Sequence, residues 1–128
     1  MREKDVLVTA TSSTSPVFDA DELSPGTHVN AVGSKSVAGH DLPFEAVERA
    51  DVLVTDSTAQ CRAYDPPFLL RGDPGTAYPV SLGAVDLGTA LGRGAGDDIT
   101  VYFSTGPAGT EVALAEMLAD FLMQERYQ

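Results

Sequence analysis

The stretch Asp5-Val-Leu-Val-Thr-Ala-Thr-Ser-Ser-Thr14 decides the fold class. It opens as a short apolar run and stops abruptly in small hydroxylated residues. A buried parallel strand reads this way when a ligand lies across its C-terminal end. Bulky side chains there would block the ligand, whereas Thr, Ser and bare backbone can approach it and hydrogen-bond to it. The pattern returns in Gly26-Thr-His-Val-Asn-Ala-Val-Gly-Ser34. It returns again, with the same opening, in Asp51-Val-Leu-Val-Thr-Asp-Ser57.

Working outward from these runs, the sequence predicts strands over residues 6–10, 28–32 and 52–55. A further strand is expected over Ile99-Thr-Val-Tyr-Phe103. Parallel neighbours need connections of about a dozen residues or more, and the first two intervals satisfy this. Asp19-Ala-Asp-Glu-Leu23 reads as a short helical turn. Residues 41–50 read as a helix, with Asp41 or Leu42 as cap and Pro43 in the first turn. The segment 64–80 is rich in Pro and Gly and irregular; its Arg71-Gly-Asp73 triplet is turn chemistry rather than an adhesion signal. Leu82 to Leu91 is expected to hold a short helix. Residues 107–126 form the clearest helix, with Leu114, Met117, Leu118, Phe121 and Leu122 on one apolar stripe. The expected fold class is α/β: half of a Rossmann-like parallel sheet of three to four strands with flanking helices. Residues 1–106 would make a partial nucleotide-binding type of domain, and residues 107–128 a C-terminal amphipathic helix.

Composition narrows the function. The chain has 128 residues and a formal charge of −11, from 19 acidic and 8 basic residues; Lys4 and Lys35 are its lysines. Nucleic acid is excluded as a partner, because phosphates need a basic patch. The acids are scattered rather than blocked, which fits a protein kept soluble in concentrated salt. No stretch is long and apolar enough for a membrane span. The single cysteine, Cys61, permits no internal disulfide, so a cytoplasmic setting is expected. His28 and His40 lack zinc-ligand spacing, and Asp97-Asp98 reads as a turn cap rather than a metal site. No Gly-x-Gly-x-x-Gly or Walker sequence occurs, and Gly92-Arg-Gly-Ala-Gly96 neither follows a strand nor opens a helix. No Gly-x-Ser-x-Gly elbow supports a triad. These residues offer part of a binding surface, with no catalytic residue and no metal ligand assigned.

Five segments in order carry a resemblance: Val8-Thr-Ala-Thr-Ser-Ser-Thr14, Pro25-Gly-Thr-His-Val-Asn-Ala-Val-Gly-Ser34, Ala50-Asp-Val-Leu-Val-Thr-Asp-Ser57, Asp97-Asp-Ile-Thr-Val-Tyr102 and Ser104-Thr-Gly106. Together they resemble the C-terminal part of the ornithine cyclodeaminase/mu-crystallin family. The resemblance implies NAD or NADP as cofactor, a homodimer, and amino acids or imines as substrates. It implies that Thr9, Ala10, Thr11 and Ser12, with Val32, Gly33 and Ser34, line the cofactor. Ser104 and Gly106 would lie near its nicotinamide end. Three positions depart from the pattern. Lys35 stands where cyclodeaminases carry an acid/base aspartate, and a lysine serves as a base only with a strongly lowered pKa. Leu87-Gly-Thr89 replaces Leu-Gly-Glu, and Phe103 replaces a charged residue. The expectation is a portion of an oxidoreductase or cyclodeaminase-like enzyme, inactive alone. The alternatives are a self-associating, non-catalytic remnant, joined through the C-terminal helix or the sheet edge, and half of an enzyme completed by a separate N-terminal chain.

Overall fold

The computed structural model describes residues 5–70, 77–107 and 109–125; the Arg71-Gly-Asp73 triplet lies outside them. The strands are β1 (Val6–Thr9), β2 (His28–Ala31), β3 (Lys35–Ser36), β4 (Gly39–His40), β5 (Val52–Thr55), β6 (Val80–Ser81) and β7 (Thr100–Phe103). The helices are α1 (Phe44–Glu48), α2 (Thr58–Ala63), α3 (Leu82–Asp86) and α4 (Gly109–Glu125). Five strands pair in the order β1-β2-β7-β5-β6, all parallel, while β3 and β4 form a separate antiparallel pair. The sheet is therefore wider than the three to four strands expected. The extra member, β6, has two residues just after Pro79, too few to show a pattern.

Period-two alternation sorts the side chains into cross-strand rows. Leu7, Val29, Val101 and Leu53 lie in register, and so do Thr9, Ala31, Phe103 and Thr55. This face is covered. Phe18, Leu23, Leu42, Ala46, Val47, Cys61, Phe68 and Leu70 pack in the core with it. Phe68 sits at the centre of an aromatic group, edge-on to Phe103 at 5.3 Å and to Tyr64 at 5.8 Å. Edge-to-face rings at such separations add roughly 0.5–1.5 kcal/mol beyond their buried area.

The opposite face carries Val8, Asn30, Tyr102 and Val54 in one row, with Val6, His28, Thr100 and Val52 in the next. A strand buried on both sides was expected from the continuous apolar run of β1. Instead Val6 is 60% and Val8 56% exposed. Asn30 Oδ1 is buried there with no hydrogen-bond partner among the described residues. A hollow of about 830 Å³ opens over this face, bordered by Val6, His28, Val54, Leu82, Arg93 and Tyr102.

Local chemistry explains most ends. Asp19 caps the turn Ala20–Glu22 through its carboxylate, and Glu22 bonds back to the Asp19 amide, a capping box. Ser57 caps α2 by accepting from Gln60 N at 3.2 Å. α1 departs from expectation: it starts at Phe44 behind Pro43, which supplies no side-chain cap, and neither Asp41 nor Leu42 caps it. The Asp41 carboxylate bonds elsewhere. In α4 the expected stripe is present, but Val112 and Met123 fall roughly opposite it at 100° per residue. All seven of these side chains are more than half exposed. A helix apolar on several sides is built for burial.

Candidate functional site

The loops leaving the C-terminal ends of β1, β2 and β7 converge on a hollow of about 450 Å³. Thr11 and Ser12 come from the first loop, Val32, Gly33, Ser34 and Lys35 from the second, and Ser104, Thr105 and Gly106 from the third; Tyr64 closes one side. Ligands of open parallel sheets bind outside the carboxyl ends of the strands. This hollow, rather than the larger one on the open face, is therefore where site chemistry belongs. Of the nine residues expected around a cofactor, seven line it. Ala10 is exposed but outside it, and Thr9 is 2% exposed, behind the loop.

The first two loops are bound together by backbone and by one carboxylate. Val32 N and Gly33 N both donate to Thr9 O, at 2.8 and 3.0 Å, and Ser34 N donates to Thr11 O at 3.3 Å. Asp41, fully buried, accepts from Thr9 Oγ1 (3.2 Å) on Oδ1, and from Thr11 N (3.2 Å) and Thr11 Oγ1 (3.1 Å) on Oδ2. A second carboxylate holds the third loop. Asp56 accepts from Thr105 N at 2.9 Å, from Thr105 Oγ1 at 2.5 Å, and from Gly106 N at 3.3 Å. Burial works against its charge, but the hydrogen bonds from Thr105, Gly106 and Thr55 prevail and hold the carboxyl below its usual range. Gly106 turns the chain at φ +64°, a conformation that favours glycine.

Lys35 is 4% exposed, and its ammonium donates to Gly33 O at 2.6 Å and Val32 O at 3.1 Å. Burial lowers its pKa, opposed by attraction to Asp41 and Asp56. Tyr64, Ser34 and Lys35 also border an adjoining hollow of about 330 Å³ with Thr14, Ser36, Ala38, Gly39 and Pro66. Cys61 lies beneath, its thiol 3.4 Å from Thr55 Oγ1 and its pKa raised by burial, which suits a packing role. Asp98 accepts from Gly94 N and Ala95 N, so the aspartate turn caps itself.

Sequence reasoning missed Asp41, Asp56, Tyr64 and Thr105. A signal existed for Asp56, an acid directly after a strand. None existed for Asp41, whose partners lie 30 and 32 residues away.

A parallel sheet with a small-residue crevice at its carboxyl ends, flanked by crossovers, is the architecture of a Rossmann-like domain. The chain belongs to the ornithine cyclodeaminase/mu-crystallin family, whose model matches residues 1–126. It is 30% identical to a Delta(1)-pyrroline-2-carboxylate reductase of Bacillus cereus, over 98% of this chain and 39% of the reductase. A probable ornithine cyclodeaminase from Bordetella pertussis superposes with a TM-score of 0.74 at 34% identity, over 88% of this chain and 37% of that one. An archaeal alanine dehydrogenase dimer with bound NAD superposes with a TM-score of 0.72 at 30% identity, over 95% and 39%. The chain thus spans about two fifths of the length of these relatives. Among the described residues no helix is long and apolar enough to cross a membrane, and no group of three or more His, Cys, Asp or Glu could hold a metal ion.

Proposed function

We propose that these residues form the C-terminal portion of an NAD(P)-dependent enzyme acting on small amino or imino acids, and that they are inactive without the rest of the fold. One observation carries the reading: seven of the nine residues expected around a cofactor come from three separate loops and line one hollow at the strand ends. The bound cofactor would supply or accept a hydride. Thr11, Ser12 and the Val32–Ser34 loop would hold its near side, and Ser104 and Gly106 the nicotinamide end. The residues fit only part of a dinucleotide. The chain has no Gly-x-Gly-x-x-Gly turn to aim backbone amides at the pyrophosphate. Lys35 occupies the position of the cyclodeaminase aspartate with its ammonium engaged by two carbonyls. Reduction or dehydrogenation is accordingly favoured over cyclodeamination.

The test is a titration with NADH and NADPH in low and molar salt. It is run on the chain alone and with the upstream segment of the Bacillus cereus reductase added in trans. Weak or no binding is expected alone, and tighter binding in the mixture. A sub-micromolar dissociation constant for the chain alone would show that another segment cradles the phosphates, and the proposed cofactor placement would fall.

The open sheet face and the exposed apolar side chains of α4 favour a second reading, a self-associating remnant without catalysis. They equally suit half of a split enzyme, whose N-terminal chain would cover both.

A further inference from the structure

We propose that Asp41 is a positioning residue, the pin that fixes the cofactor-facing lip Thr9–Ser12 against the Val32–Ser34 loop. The inference rests on the assignment of the hollow above to a dinucleotide. Its basis is a set of bonds with no local explanation. Asp41 stands three residues before α1, where a helix cap was expected, yet its carboxylate is fully buried and reaches back 30 and 32 residues to the end of β1. Both oxygens are used, and three donors from the lip converge on them. The backbone of Asp41 joins the same unit, its N–H donating to Ser34 O at 3.0 Å.

Gly33 lies at the centre of the assembly. A Cβ there would come within 1.9 Å of Asp41 Oδ2 and 2.5 Å of Thr11 O, so lip, loop and carboxylate meet with no room between them. On its other side Gly33 O receives the Lys35 ammonium. The two threonines therefore divide their work. Their hydroxyls are committed to Asp41, and what Thr11 and Ser12 present to the hollow is a lip whose shape that carboxylate sets. Directed, charge-assisted bonds to a buried carboxylate are stronger and geometrically tighter than neutral ones. Removing the acceptor frees the lip to move relative to Val32–Ser34, and the hollow loses a fixed wall.

Residue-resolved amide hydrogen exchange on the 128-residue chain tests this, with Asp41→Leu and Asp41→Asn compared with the unaltered protein. In Asp41→Leu, Thr11 and Gly33 amides should lose about tenfold more protection than Val29 and Val101, because local opening is read separately from global unfolding. Asp41→Asn should rescue it. Its oxygen can accept both Thr11 bonds, and its NH₂ can donate to a reversed Thr9 hydroxyl. If Asp41→Leu does not fold, the double variant Thr9→Val/Thr11→Val carries the comparison, with selective loss at the backbone amides of position 11 and of Gly33 again expected. Equal loss at lip and core, or unchanged protection of Thr11, overturns the proposal. A parallel addition of millimolar NADH, read as shifts of the Thr11, Ser12 and Gly33 amides, should perturb the unaltered chain and Asp41→Asn more than Asp41→Leu. No shift in the unaltered chain even with the upstream reductase segment added in trans would defeat the assignment of the hollow, while the exchange comparison would still decide the role of Asp41.

Discussion

Replacing Gly33 by alanine puts one methyl group into the tightest of the glycine junctions among the described residues. An ideal Cβ would lie 1.9 Å from Asp41 Oδ2, 2.5 Å from Thr11 O and 2.7 Å from Thr11 N. Two of the three atoms are backbone, so no side-chain rotation relieves the contact. Either the lip retreats by an ångström or so, or the Asp41 carboxylate swings away from its donors. Overpacking of this kind costs about 1–3 kcal/mol. Loss of one bond to the buried carboxylate adds about 1.5–3 kcal/mol. Since relief of one strain spares part of the other, the total expected is about 2–4 kcal/mol, or a melting midpoint lower by roughly 8–16 °C for a domain of this size. Gly96→Ala is the control. Gly96 has nothing within 4 Å of its added Cβ, so the stability of this variant should stay within about 0.5 kcal/mol of the unaltered chain. Urea and thermal denaturation of the three proteins in one buffer supply the comparison. A Gly33→Ala variant as stable as Gly96→Ala would refute the close junction, and with it the geometry assigned to the site.

Three further outcomes are expected. With a formal charge of −11 the thermal midpoint should rise from low to molar KCl as self-repulsion is screened; a flat or falling midpoint removes the high-salt reading. The chain should self-associate at micromolar concentration, and Leu118→Asp with Phe121→Asp should abolish the assembly in sedimentation, since both side chains are more than half exposed on α4; a compact monomer of the unaltered chain refutes this. Because the folded-state pKa of Asp56 is lowered, its contribution to stability is present above the ordinary carboxylate pKa and lost as pH falls through the folded value. Asp56→Asn should therefore flatten the loss of stability below about pH 4, and an unchanged acid limb counts against the Asp56–Thr105 clamp.

The long strands were legible because composition and burial agree in them. Val52–Thr55 is bounded as expected, and β1, β2 and β7 shift by one residue at an end, since β-branched runs stopping at Thr or Ser leave little ambiguity. Length limits the rest. A two-residue strand such as Val80–Ser81 exists only because β5 offers it an edge, and Lys35–Ser36 pairs with Gly39–His40 without any apolar alternation. The site was legible to the extent that it is made of chain ends. Ser12, Gly33 and Gly106 follow strands and were expected to line the hollow. Asp41 was read by a local rule as a cap, and a bond across thirty residues prevailed. The apolar stripe of α4 was visible, but weight on the 114–122 face hid Val112 and Met123 on the other side.

The order β1-β2-β7-β5-β6 has a consequence for biosynthesis. The middle strand is the last of the sheet to leave the ribosome. Until Thr100–Phe103 emerges, β1 with β2 and β5 with β6 are two narrow ribbons with no shared hydrogen bond, and the places of Val101 and Phe103, both wholly buried in the finished molecule, stand empty. Until then each ribbon exposes an inner edge. Insertion between them is a long-range, late and cooperative event, of the kind that slows folding and invites mispairing. A nascent chain halted just before residue 100 thus carries four of the five strands in two ribbons and lacks the one that joins them.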